Sequence, residues 1–305
     1  MASFNIEDSA FAGVGLLGRR PVSALVWALL WAVLVALITI PFMGVLADFV
    51  TTAFRSGPQA DPRAILPLMG GLGAFVLLGW IFSLAFGAVI SCAVYRAILT
   101  PDDSAFAYLR LGEREIMVLL VNFVKFVVLV AASFAMGIVL AIFMFAAMAG
   151  GQGVGSLVNV LGRIVVQGVI FWLQLRLSLA GPMTFSEGKF RLFESWTATK
   201  GLTLRLLVVG IILALIVLVV YLALVTVGAL VGVGLWNSAP RPADIQSLLA
   251  QPSSVWMSAL APFITLGVFL VIIGGAILTP ILNAPWVHVY RTLAGGGADA
   301  AETFS

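Results

Sequence analysis

An all-α integral membrane protein with six transmembrane helices is what this sequence predicts, on three observations. Apolar residues fill 62% of its 305 positions and charged ones only 10%, where soluble domains run near roughly 45–50% and 25%. Six apolar runs reach the ~20 residues that a helix needs to cross a hydrocarbon core of about 30 Å. None of them alternates polar and apolar residues as barrel strands do, and all are longer than such strands. A soluble enzyme, a disordered chain and a disulfide-bonded secreted module are excluded by the same composition.

The runs are Val22–Ala47, Ile65–Leu99, Ile116–Ala149, Leu157–Leu179, Leu204–Leu235 and Ser258–Tyr290. Several exceed a straight crossing, and tilt or a kink absorbs the surplus. They set the organisation: residues 1–21 form a cytoplasmic interfacial segment, 22–292 the six-helix transmembrane domain, and 293–305 a flexible cytoplasmic tail.

Orientation follows from lysine and arginine. The N-terminus, second and fourth loops, C-terminus and their flanking helix ends hold 12 of them, from Arg19 to Arg291, while Arg55, Arg63, Arg163 and Arg241 fall opposite. By the positive-inside rule both termini are expected in the cytoplasm. Glu7 and Asp8 sit where a cleavable signal peptide wants positive charge, so Arg19-Arg20-Pro21 reads as the anchor of the first helix. The net charge of +3 is spread along membrane edges, and no nucleic-acid partner is expected.

Three stretches before odd-numbered spans look alike. Asp8-Ser9-Ala10-Phe11-Ala12, Asp103-Ser104-Ala105-Phe106-Ala107 and Glu194-Ser195-Trp196-Thr197-Ala198 each lead through a glycine into an apolar run. The even spans end on Tyr95-Arg96, Leu175-Arg176 and Tyr290-Arg291. Two readings stand: three repeated hairpins, each preceded by a short interfacial helix, or generic juxtamembrane composition.

Within Ser186–Lys200, Phe190, Phe193 and Trp196 recur at helical spacing against Lys189, Arg191, Glu194 and Lys200. An amphipathic helix in the headgroup layer would put the rings inward and the charges outward, and a partner-binding helix is the competing reading. Phe190, Phe193, Trp196, Arg176 and Lys200 are the expected lipid-interface residues, with anionic lipids on the cytoplasmic side as partners and a protein partner as the further option.

No Asp or Glu lies in the middle of a span, and Asp48 stands at a boundary. Proton-coupled transport usually uses such a carboxylate, so that reading loses ground. Asn122 and Lys125 share a face of the third span. Arg163, Gln167 and Gln174 fall within about 40° on one stripe of the fourth. These five are the candidate ligand-binding residues for an anionic headgroup; snorkelling, edge anchoring and helix–helix bonding are their structural alternatives. Gly79, Ser83, Gly87 and Ser91 form a small-residue ridge on the second span, matched by Gly228 and Gly232 on the fifth. On the sixth span, Pro262, Gly274, Gly275, Pro280 and Pro285, with Asn283 between the last two prolines, allow a broken helix that forms a site or hinge; the more usual reading is a helix whose neighbours satisfy the freed carbonyls.

Catalytic patterns fail. Gly13–Gly18 matches GxGxxG without the strand before it. Asp102 and Asp103 read as caps of a short helix, and Glu113 and Glu115 as part of a solvated turn. Cys92 and His288 are each the only residue of their kind, so no disulfide, metal site or cofactor is expected and the chain is read as non-enzymatic.

Leu175-Arg176-Leu177-Ser178-Leu179-Ala180-Gly181-Pro182, then Glu187, then Glu194-Ser195-Trp196-Thr197-Ala198-Thr199-Lys200-Gly201 resembles a signature of the membrane domain joined to some bacterial glycerophosphoryl diester phosphodiesterases and of related inner-membrane proteins. The pattern is an arginine at a helix end, a proline, a glutamate, then Ser-Trp-x-x-Thr-x-Gly before the next span. It covers about 27 residues, and the six-span layout and Arg19-Arg20-Pro21 agree with it. The resemblance implies a multi-pass bacterial inner-membrane fold. The phosphodiesterase chemistry belongs there to a separate soluble domain, so no catalytic residue carries over. The expected role is a scaffold or accessory in envelope or lipid homeostasis; the alternative is a transporter or flippase of a small or anionic amphiphile.

Overall fold

A computed structural model of the chain describes residues 4–56, 62–102, 105–148, 151–238 and 253–303. Described residues are helical or in short connections, and six helices are long and apolar enough to span a membrane. The protein is an all-α polytopic membrane protein.

Among the described residues nine α-helices follow one another: α1 Ile6–Arg19, α2 Pro21–Ser56, α3 Pro62–Leu99, α4 Glu113–Met148, α5 Gln152–Arg176, α6 Ala180–Glu187, α7 Leu192–Ala198, α8 Thr203–Ser238 and α9 Ser253–Thr303. Local chemistry sets the breaks. Asn5 Oδ1 accepts the Glu7 N–H at 3.0 Å and so caps α1. Pro21 opens α2, where its missing N–H costs nothing. α3 ends one residue before Thr100-Pro101, because a residue preceding proline avoids the helical region. α6 ends at Gly188, whose φ of 67° is left-handed and suits glycine.

Two compact units are present. One comprises residues 1–16, 91–214 and 281–305. Much of the buried core lies here: Val94, Tyr108, Val118, Leu179, Phe185, Leu206 and Val287 are all but inaccessible. α4 packs along α5, and α6 packs against both α4 and α7.

The other comprises residues 17–90 and 215–280. Its helices meet through close approaches. The Phe42 and Phe75 rings stack edge-on at 5.5 Å between α2 and α3. On α9, Gly275 lets the Trp31 ring lie against the backbone, and the Trp31 indole donates to Thr279 Oγ1 at 3.2 Å. Trp256 is buried against Ala47 and donates to Thr51 Oγ1 at 3.3 Å. Of the expected ridges, Gly79 faces Ile38 and Gly228 faces Leu270, while Gly87 and Gly232 face open space. The outer faces carry exposed Leu25, Leu29, Ile81, Leu218 and Phe269, as lipid requires.

Of the two readings of the sixth span the structure has the unbroken one: α9 is one helix from Ser253 to Thr303, through Pro262, Pro280 and Pro285. Membrane helices tolerate proline where side chains and neighbours re-satisfy the backbone, and Thr279 Oγ1 bonds the Gly275 carbonyl at 2.7 Å beside the carbonyl that Pro280 frees. Two expectations are corrected. Among the described residues no α-helix stands between Asp102 and α4: Ala105–Tyr108 is a single tight turn with positive φ at Phe106, Ala107 and Tyr108. Asp103 and Ser104 lie outside the described residues. Ser186–Lys200 is not one helix, since Gly188 separates α6 from the seven-residue α7. The three segments that look alike in sequence take three different conformations among the described residues: a 14-residue helix, a left-handed turn and α7.

Candidate functional site

All three segments nonetheless do one thing alike in the first unit. Each is tied to the C-terminal end of an even-numbered span, or to the residues just before it, at or beside an arginine.

In the first tie, Arg96 at the end of α3 is buried. Its Nη1 donates to the Tyr108 carbonyl at 2.8 Å, and its Nη2 forms an ion pair with the Glu115 carboxylate in the first turn of α4. The three left-handed residues at 106–108 are what turn that carbonyl inward, a conformation that non-glycine residues seldom adopt. Tyr108 closes the loop by donating to the Pro101 carbonyl at 3.0 Å. The Phe185 ring takes the Arg96 and Arg114 guanidiniums at 5.3 and 5.6 Å and the edge of Tyr95 at 5.6 Å. Glu115 is therefore a buried ion-pair partner and not part of a solvated turn, because Arg96 compensates its charge.

In the second tie, Ser9 of α1 is wholly buried; its hydroxyl donates to the Asn5 carbonyl at 2.7 Å and lies 3.1 Å from His288 Nδ1 on α9. With the hydroxyl proton engaged, Nδ1 is the donor. A serine beside a histidine invites a catalytic reading, but a wholly buried hydroxyl cannot reach a substrate. Arg291, three residues on, donates to the Ile98 carbonyl at 3.2 Å.

The third tie differs in being half open. The Arg176 guanidinium lies over the Trp172 and Trp196 rings at 5.6 and 5.1 Å, and those rings meet edge to face at 5.1 Å. Its Nη1 reaches the Trp196 carbonyl and Thr199 Oγ1 only at 3.4 Å each, long for hydrogen bonds. Its Nε is buried with no partner among the described residues. Ser195 fixes α7 beneath it by donating to the Arg176 carbonyl at 2.8 Å. Arg191 braces the α6–α7 loop through Glu187 at 2.8 Å and Glu194 at 2.9 Å. The Glu194 carboxyl is held below its usual range by its own backbone N–H and then by Arg191, and the Arg191 guanidinium is shifted up by the same pairings.

α7 turns Leu192, Ser195 and Thr199 inward and leaves Phe193 71% and Trp196 38% exposed. A guanidinium with spare donors, two tryptophans and an exposed phenylalanine thus share one small surface, whose chemistry fits a phosphate group at an apolar boundary.

Of the expected interface residues, Arg176 and Trp196 meet directly and Phe193 extends the same helix face. Phe190 does not: it packs on the cluster of Val121, Leu177, Ala180 and Leu192, because the break at Gly188 takes it off α7. Lys200 is exposed in the turn after α7, where its N–H bonds the Thr197 carbonyl at 3.1 Å. Trp172 is the residue sequence reasoning missed, although it stands one helical turn before Arg176.

The five polar span residues do not gather around one cavity. Asn122 and Lys125 are half-buried on α4, while Arg163, Gln167 and Gln174 are exposed on α5. A groove of about 300 Å³ does run between α4 and α5, but Met136, Leu140, Phe143, Val158, Leu161 and Val166 give it apolar walls, and none of the five lines it.

No protein-family model, curated protein or solved structure matches the chain.

Proposed function

We propose that this is a non-enzymatic protein of the bacterial inner membrane, with both termini cytoplasmic, whose rim binds anionic lipid and which serves as a scaffold or accessory in envelope or lipid homeostasis. The carrying observation is the half-open Arg176, stacked on Trp172 and Trp196, whose Nη1 meets its protein acceptors only at 3.4 Å. Interfacial tryptophans are a common membrane-surface anchor, and the exposed Phe193 beside them offers an apolar surface of the kind that meets an acyl chain. Arginine matches a lipid phosphate through its fork of donors. The polar groups of the other two ties are engaged in holding helix ends, which supports a structural role for them. A transporter reading would need the five polar span residues around one pathway, and the apolar α4–α5 groove lends it no support.

The test is native mass spectrometry of the purified protein with equimolar phosphatidylglycerol and phosphatidylcholine. Selective retention of phosphatidylglycerol is expected, lowered about fivefold by Arg176→Gln, as one cation near an anionic surface contributes about 1 kcal/mol. Phe193→Ser should weaken both lipids. Equal retention of the two lipids by the wild type would overturn the reading.

A further inference from the structure

Arg163 lies at the centre of α5, with the exposed apolar Val154 and Trp172 nine residues away on either side. That is about 13 Å of rise each way, too far for an arginine side chain to snorkel to either surface. Its side chain is nonetheless exposed, and no hydrogen bond or ion pair joins it to another described residue. Gln167 and Gln174 are exposed along the same stripe. α4 is not what this stripe faces. Leu140 of α4 sits over Gly162, and at 100° per residue Arg163 and Gln167 lie about 100° and 140° around the helix from it. The neighbours Val160, Ile164 and Val165 are the apolar residues that lipid accepts; a guanidinium among them is not, since charged residues at this depth face a protein partner or water.

The charge says what the partner must supply. No Asp or Glu stands in the middle of any of the chain's own spans, so a second copy offers Arg163 no carboxylate. Two copies meeting along α5 would instead bring two guanidiniums together where water cannot screen them. We infer that the Arg163–Gln167–Gln174 stripe docks a transmembrane helix of another membrane protein, one carrying an Asp or Glu near mid-span. Arg163 pairs with that carboxylate, and Gln167, one turn along, donates to the same carboxylate from its side-chain amide. The inference gives the accessory role a partner, rests in that respect on the proposed function, and uses a surface separate from Arg176.

The experiment reconstitutes the whole protein, donor-labelled at its N-terminus, in phosphatidylcholine liposomes with acceptor-labelled poly-leucine transmembrane peptides bearing a central Asp or a central Leu. Energy transfer above the random level is expected for the Asp peptide alone. Arg163→Leu should weaken it at least tenfold, Arg163→Lys should retain part of it, and Arg176→Gln should leave it unchanged, so that failure of the lipid site and of this one are told apart. Gln167→Leu, which keeps the charge, should weaken it several-fold and serves if Arg163→Leu does not fold. Equal transfer for both peptides, or transfer insensitive to Arg163→Leu, would overturn the inference, as would transfer between two copies of the protein that Arg163→Leu abolishes.

Discussion

Arg96 and Glu115 show how much one residue pair can carry. Each is nearly inaccessible, with side-chain exposures of 8% and 5%, so each has given up its hydration and is compensated chiefly by the other. Removing one partner leaves a bare charge in the core, which costs about 3–5 kcal/mol. Arg96→Ala and Glu115→Ala are therefore each expected to lower unfolding stability in detergent by about that amount. The double variant should cost clearly less than their sum, and strict additivity in the cycle would show that the pair is not coupled. Little of this was legible beforehand. Glu113, Arg114 and Glu115 read as a solvated turn because alternating charge usually is one, and nothing in the sequence marks which of two glutamates faces inward. The three left-handed residues at 106–108 were equally hidden, since Phe, Ala and Tyr carry none of the preference for that conformation that glycine or asparagine shows.

At the scale of the element, α7 is the informative case. Seven residues make a marginal helix, and this one is held by Ser195 against α5 and by Arg191, which bridges Glu187 and Glu194. The Glu194 carboxyl titrates below its usual 4.5. A depressed carboxylate contributes fully above its unfolded-state pKa, and the contribution is lost as pH falls through the lower folded value. Amide exchange protection across Leu192–Ala198, corrected for intrinsic rates, is thus expected to stay flat from about pH 8 to 5 and to drop below about pH 4. Glu194→Gln should flatten that drop, and a change centred near neutral pH would contradict the account. The aromatic periodicity of this stretch was visible in the sequence and two of its three rings do face outward. Phe190 was misplaced because a single left-handed glycine resets the helical phase, and spacing alone does not reveal which glycines do so. The six long helices were legible for the opposite reason: a bilayer imposes one length and one polarity on every span, and no local detail can override it.

For the molecule as a whole, burial is concentrated where the helix ends meet, and Cys92 sits within that core at 0% exposure. As the only cysteine, it reports on the whole assembly. It should resist N-ethylmaleimide in the folded protein and react once the protein is denatured, and Glu115→Ala should speed its labelling in the native state. Ready labelling of the wild type would mean that this core is open. The same core imposes an order in time. Arg96 meets Tyr108 across 12 residues and Arg176 meets Trp196 across 20, but Ser9 meets His288 across 279. During synthesis the first two contacts can form soon after their residues leave the ribosome, whereas α1 must wait for nearly the entire remaining chain. Until α9 has been inserted, Phe4, Ala10 and Leu206 lack the Val289 surface against which they are buried. Insertion of α9 is therefore the step that completes this core, and an interruption of translation before it leaves an apolar face on α1 for quality control to recognise.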